Sequence, residues 1–303
     1  MSRWPSLKQL HYLVALAECQ NFNRAAKQCF VSQSTLSTGI QTLEELLGVQ
    51  LIERDHKAFI ITMAGLEVVD RARRILSQTK DMLDLASVQG GVMSGTLRLG
   101  CIPTIAPFLL SDLVTQSSLQ FPELQLLLRE DTSANLLLQL EAGELDLLVL
   151  ALPYELRGLH SRSVGHDPFK LVLHRSLAAQ LENSADYRLL PDQSIYLLEQ
   201  EHCLTGHALA ACHMADRSKI NPFAATSLYT LIQMVSARVG ATFLPQMAIH
   251  SGVLQRTELV ALSPSVQLAS REIGLVWRPS STRVETFYTF GNLVADCLAA
   301  CCR

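Results

Sequence analysis

Through Gly90 the apolar residues of this chain recur three and four apart, whereas beyond Gly95 they gather into short runs that alternate with helical segments. That change of period constrains the fold more than any other feature, because side chains return to one face every 3.6 residues on a helix and every second residue on a strand. The chain therefore reads as an all-helical start and an α/β remainder, with Gly90-Gly91-Val92-Met93-Ser94-Gly95 as a hinge. Its 303 residues suffice for two or three cored domains, and 49% hydrophobic against 17% charged residues excludes a long disordered region. The longest apolar runs, such as 145–152, contain Asp146 and fall short of the ~18–20 residues that cross a bilayer. The opening residues lack the apolar core of a secretory signal, so a cytoplasmic, reducing setting is expected. There the eight cysteines should mostly be free, and any disulfide is more often transient than structural.

Ser6 is placed to cap a first helix in which Leu7, Leu10, Leu13, Val14 and Ala17 share a face, and Asn21 to cap a short second helix. Ser32 then begins a third, whose Leu36, Ile40, Leu43 and Leu47 point one way before Gly48 stops it. Ser32, Gln33, Ser34, Thr35, Ser37 and Thr38 front that helix with short groups that donate and accept, which suits reading base edges in a major groove. Two short helices, a tight turn and a polar-fronted third make a helix-turn-helix, and residues 51–62 read as a hairpin or wing around Asp55-His56-Lys57, with Arg54 on its first strand. An ordinary three-helix packing unit with solvated hydroxyls fits the pattern equally. Charge does not decide: the net is −3, with ten Lys and Arg against nine Asp and Glu through Gly90. From Thr62 a long helix runs to about Gln89, with Val68, Ala72, Ile75, Thr79, Met82 and Ala86 on one stripe and Leu66, Val69, Leu76 and Leu83 beside it. An apolar face that wide calls for a partner, either another copy or the helix's own domain.

Farther on, strands are expected at 96–100, 124–128, 146–150, 241–245 and 272–277, and helices at 105–119, 133–142, 228–237 and from about 281. The alternation argues for an α/β unit with a mainly parallel sheet.

The runs Phe22-Asn23-Arg24-Ala25-Ala26, Val31-Ser32-Gln33-Ser34-Thr35-Leu36-Ser37 and Leu43-Glu44-Glu45-Leu46-Leu47-Gly48-Val49, with Leu51-Ile52-Glu53-Arg54, resemble the DNA-binding domain of LysR-type transcriptional regulators over nearly all of the first 65 residues. The resemblance implies a winged helix-turn-helix domain at 1–66 that meets double-stranded promoter DNA through Ser32, Gln33, Ser34, Thr35, Ser37, Thr38, Arg54 and Lys57. It further implies an antiparallel dimerisation helix at 67–90 and a two-lobed, periplasmic-binding-protein-like α/β regulatory domain at 91–303. Lobe I would take 91–164 and 269–303, and lobe II 165–268. A homotetramer built as a dimer of dimers, with RNA polymerase as a further partner, goes with it. Thr38, Gln41 and Thr42 stand where the family usually carries basic residues, and each lost phosphate contact should weaken binding and flatten its salt dependence.

The segment His202-Cys203-Leu204-Thr205-Gly206-His207-Ala208-Leu209-Ala210-Ala211-Cys212-His213 is similar to the peroxide-sensing branch of the same family. So are Gly100-Cys101-Ile102-Pro103-Thr104, Ala225-Thr226-Ser227-Leu228 and Arg271-Glu272-Ile273-Gly274-Leu275-Val276. By that resemblance Cys203 meets hydrogen peroxide, Cys212 is its disulfide partner, and Thr104, Ser133, His202 and Arg271 belong to the peroxide pocket, Ser133 standing where the branch commonly has Thr. No cofactor is implied. A cationic neighbour such as Arg271 is expected to bring the Cys203 thiol below its free value. Were 203–212 helical, nine residues at 1.5 Å would part the two Cα atoms by about 13.5 Å, whereas a disulfide tolerates less than about 7 Å, so the segment would have to refold. Three alternatives stay open: inert buried cysteines, a metal sensor using His202, Cys203, His207, Cys212 and His213, and a regulator switched by an organic ligand. The same thiol chemistry would also serve a peroxidase, which has no use for a recognition helix.

Overall fold

A computed structural model describes residues 4–55, 58–87, 91–180, 185–199, 203–214, 216–238, 240–264 and 269–302. The chain divides into two compact units, residues 1–89 with 141–144, and the remainder.

In the first unit, α1 (Leu7–Cys19), α2 (Phe22–Gln28) and α3 (Gln33–Leu47) start where the caps were read. Ser6 Oγ accepts the Gln9 amide at 3.2 Å while the Gln9 side chain accepts the Ser6 amide, so two of the four orphan donors at that helix end are satisfied. Asn21 and Ser32 accept from Arg24 and Thr35 in the same manner. Gly48 ends α3 at φ +67°, the left-handed conformation that glycine adopts without a steric cost. Leu13, Leu16, Leu36, Ile40 and Leu43 are buried together. The wing is β1 (Ile52–Asp55) antiparallel to β2 (Ala58–Ile61), and Glu44 anchors its start by accepting the Leu51 and Ile52 amides. Next, α4 (Met63–Ser87) buries Val69 and Ala72 in the same core but leaves Ile75 43% and Met82 70% exposed.

The second unit contains β3 (Gly95–Cys101), α5 (Ala106–Gln120), β4 (Leu124–Glu130), α6 (Ser133–Glu141), β5 (Leu147–Leu152), β6 (His160–His174), α7 (Arg175–Gln180) and β7 (Ile195–Leu198). It continues with α8 (Cys203–Ala211), β8 (Ile220–Ala225), α9 (Leu228–Arg238), β9 (Ala241–Pro245), α10 (Gln246–His250), β10 (Leu259–Leu262), β11 (Ser270–Trp277) and α11 (Val284–Cys301). The strands form one sheet in the order β4-β3-β5-β11-β6-β9-β7-β8, with β10 on β6. The expected mainly parallel sheet is corrected. Pairing is parallel within β4-β3-β5 and around β7, but β11 and β6 pair antiparallel with each other and with their flanking strands. The reason is connectivity: β6 runs out of one half of the sheet and β11 runs back into it, so the two lie side by side in opposite directions.

Two hydrophobic cores lie along that sheet. One joins Leu97, Leu99 and Val149 to Ile273, Phe287 and Phe290; the other joins Phe169, Leu171 and Leu173 to Leu204, Leu231 and Phe243. Gly100 is a close approach in the first, because a Cβ there would meet Leu148, Leu145 and Leu136 side chains at 2.6–2.9 Å. No helix among the described residues is long and apolar enough to cross a membrane.

Candidate functional site

The front of α3 offers one set of candidate side chains. Gln33, Ser34, Thr35 and Thr38 are exposed, and Ser34, Thr35, Thr38 and Thr42 line a shallow surface hollow with Ser6, Lys8 and Tyr12. Ser32 is committed to the helix cap, its Oγ lying 2.9 Å from Ser34 Oγ and 2.7 Å from Thr35 Oγ1. Ser37 is half-buried, on the side of α3 that turns toward the core. Thr42 spends its hydroxyl on the Thr38 carbonyl at 2.9 Å. Lys57 and the Arg54 side chain lie outside the described residues.

The second set converges around a buried ion pair. Arg271 on β11 and Asp167 on β6 are both 0% exposed, with Nη2 to Oδ2 at 2.9 Å and Nε to Oδ2 at 3.1 Å. Arg271 also donates from Nη1 to Thr104 Oγ1 at 2.9 Å and from Nη2 to the Thr104 carbonyl at 2.8 Å. A guanidinium fork of fixed geometry thereby ties the loop after β3 to β6 and β11. Asp167 Oδ1 accepts the Met247 amide at 3.1 Å and the Cys302 thiol at 3.7 Å.

Cys203 opens α8, which packs against β11, β5 and β7. Its sulfur accepts from the Ser133 hydroxyl at the start of α6, at 3.7 Å. Burial pushes the Cys203 thiol up from its usual range, while Ser133 and the Arg271 charge draw it back by less. The expectation that Arg271 brings this thiol below its free value is therefore corrected, because the sulfur is largely withdrawn from water and that outweighs the Arg271 charge. His207, one turn along α8, is half-buried, and burial and Arg271 hold it below the usual histidine range.

Cys212 is brought to neither group. It is buried in the second core, with its thiol pushed up to about 12 by burial, whereas Cys203 packs against the first. Residues 203–211 are helical and the Cys212 amide still bonds the Ala208 carbonyl at 2.9 Å. The helical separation of about 13.5 Å thus applies, and all described cysteines are free thiols. His202 lies outside the described residues. Among the described residues no three His, Cys, Asp or Glu side chains converge as a metal site, and His213 is exposed. Sequence reasoning missed Asp167. The one local signal for Asp167 was a charged residue at the head of the run Pro168-Phe169-Lys170-Leu171-Val172-Leu173. A cleft of about 430 Å³ adjoins Thr104, lined by Phe108, Glu130, Thr226, Tyr229 and Ile232 among others.

Residues 7–66 match the family model described as bacterial regulatory helix-turn-helix protein, lysR family, and residues 90–298 match the LysR substrate binding domain. The chain belongs to the LysR family. It is a LysR-type transcriptional regulator, with the helix-turn-helix as its DNA-binding part and the mixed α/β sheet as its regulatory part. The HTH-type transcriptional regulator EstR from Acinetobacter baylyi is 40% identical over 93% of each chain. The hydrogen peroxide-inducible genes activator of Escherichia coli O157:H7 is 38% identical, covering 91% of this chain and 90% of that one. Among solved structures, the reduced regulatory domain of OxyR2 from Vibrio vulnificus is 55% identical, covers 70% of this chain and 99% of its own, and superposes with a TM-score of 0.67.

Proposed function

We propose that this regulator senses hydrogen peroxide at Cys203, converts it into a Cys203–Cys212 disulfide, and thereby alters its hold on the promoters of antioxidant genes. The observation that carries the reading is the Cys203 sulfur at 3.7 Å from the Ser133 hydroxyl, beside a buried Arg271 that fixes Thr104. Thr104 Oγ1 accepts from Arg271, which leaves its own hydrogen free to donate to a peroxide oxygen. The sulfur attacks one peroxide oxygen, the O–O bond breaks, and the products are Cys203 sulfenic acid and water. The Cys212 thiol then condenses with the sulfenic acid, releasing a second water. For this the last turns of α8 must unwind, and the unwinding is the conformational signal. The likeness to a peroxide-inducible activator and to OxyR2 supports this reading. In the same proposal His202 joins the pocket, Ser32, Gln33, Ser34, Thr35, Ser37, Thr38, Arg54 and Lys57 meet DNA, and two dimers assemble into a tetramer that recruits RNA polymerase.

The test is a titration of the full-length chain with hydrogen peroxide, followed by thiol counting, mass mapping and DNA footprinting. One disulfide linking Cys203 to Cys212 and a changed footprint are expected. Cys203→Ser should abolish both, and Cys212→Ala should consume peroxide yet stop at sulfenic or sulfinic acid. The cleft beside Thr104 favours a second reading, an organic effector bound there. A Cys203→Ser chain that still switched its footprint would favour that reading over the thiol.

A further inference from the structure

Peroxide chemistry at Cys203 requires that the thiol proton go somewhere, because the thiolate is the nucleophile. Among its described neighbours the choice is narrow, and His202 lies outside the described residues. Ser133 donates to the sulfur, and Thr104 accepts from Arg271. The Asp167 carboxylate is filled by Arg271, the Met247 amide and the Cys302 thiol. Arg271 has no acceptor to offer.

His207 is placed differently. It lies four residues beyond Cys203 on α8, and side chains at that spacing share a helix face with Cβ atoms roughly 5–6 Å apart. Its ring hydrogen-bonds the Ala151 carbonyl at the end of β5, and in the neutral tautomer that donates there the other nitrogen carries a lone pair. The titratable groups on the strands packed against α8 are Arg271 and Glu272 on β11 and Tyr196 on β7, while β5 offers backbone only. Of these, the Arg271 charge acts on the His207 ring and opposes its protonation.

We infer that His207 is the general base and then the general acid of the Cys203 reaction. This rests on the peroxide reading above. Its free nitrogen takes the Cys203 proton, the sulfur lone pair attacks the nearer peroxide oxygen, and the O–O bond breaks. The departing hydroxide takes the proton back from the imidazolium, giving water and Cys203 sulfenic acid with His207 neutral again. The thiol is oxidised, peroxide is reduced, and no other reactant is needed. Burial serves both partners, since it keeps the Cys203 thiol protonated until peroxide arrives and keeps His207 neutral and able to receive the proton.

The experiment follows the second-order rate of Cys203 sulfenic acid formation from pH 5 to 9 in the full-length chain. The wild-type rate should rise through a pKa below the ordinary histidine value and then level off across neutrality. His207→Gln keeps an N–H for the Ala151 carbonyl but cannot take a proton. It should slow the reaction about 100-fold at pH 7. Its residual rate should then climb roughly tenfold per pH unit as the thiol ionises unaided. A purely structural role would be rescued by glutamine. Should that variant not fold, the wild-type profile stands alone: a rate still climbing tenfold per unit beyond pH 8 would overturn the assignment. So would a His207→Gln profile that matched the wild type, or one in which His202→Gln alone abolished the neutral plateau. A wild type that formed no Cys203 sulfenic acid would instead bring down the peroxide reading itself.

Discussion

The Arg271–Asp167 pair invites a thermodynamic test independent of any signal. Both side chains are 0% exposed, so replacing Arg271 by Met leaves the Asp167 carboxylate buried with only the Met247 amide and the Cys302 thiol. Removing one partner of such a pair costs about 3–5 kcal/mol, because the surviving charge has lost its counter-ion and cannot regain water. At ~2–4 °C per kcal/mol for a domain of this size, the melting temperature of the regulatory unit should fall by roughly 6–20 °C. Asp167→Leu alone strands the guanidinium and should cost a similar amount. The double variant Asp167→Leu/Arg271→Met removes both desolvation penalties and should recover most of the loss, since buried ion pairs are often no more stable than the apolar groups that replace them. Differential scanning calorimetry of the four chains closes the cycle. An Arg271→Met melting temperature within about 2 °C of wild type, or a double variant no more stable than the singles, would refute the burial argument.

Four further outcomes are expected. Burial holds the Cys212 thiol at about 12 against an ordinary 9.0, so the native state keeps a proton that the unfolded chain loses first; stability present below pH 9 is lost as pH rises toward 12, and Cys212→Ala should flatten the urea midpoint over that window. Ile75→Asp or Met82→Asp should dissociate the proposed α4-mediated assembly, read as a smaller mass by analytical ultracentrifugation, since both side chains are exposed on an apolar face of the chain. Ser34→Ala or Gln33→Ala should relax sequence preference in a binding-site selection. Lys57→Ala should weaken all sites alike and lower the salt slope by about one.

The helical third was legible almost to the residue, because Ser6, Asn21, Ser32 and Gly48 are local punctuation whose chemistry acts within four positions. The short buried strands β5 and β9 were equally plain as apolar runs. What escaped was long-range. The pattern of β6 is interrupted by Gly165, Asp167 and Pro168, and its role shows only when β11 returns more than 100 residues later to lie beside it. Asp167 escaped for the same cause, since nothing near it in the chain names Arg271 as its partner. The Arg271 charge does draw the Cys203 thiol down, but the net direction escaped because sequence does not reveal the depth at which the sulfur sits.

On the proposed peroxide reading, the burial of Cys212 would also make the device a timer. A resolving thiol packed among Leu204, Ala208 and Met214 becomes available only as often as that core opens. The opening rate therefore fixes how long a sulfenic acid waits, and during that wait a second peroxide molecule competes to carry the sulfur to the irreversible sulfinic acid. Packing around Cys212 would then set the oxidant concentration at which such a sensor passes from signalling to self-inactivation, and a Leu204→Ala chain, looser at that core, should withstand higher doses before its thiol is spent.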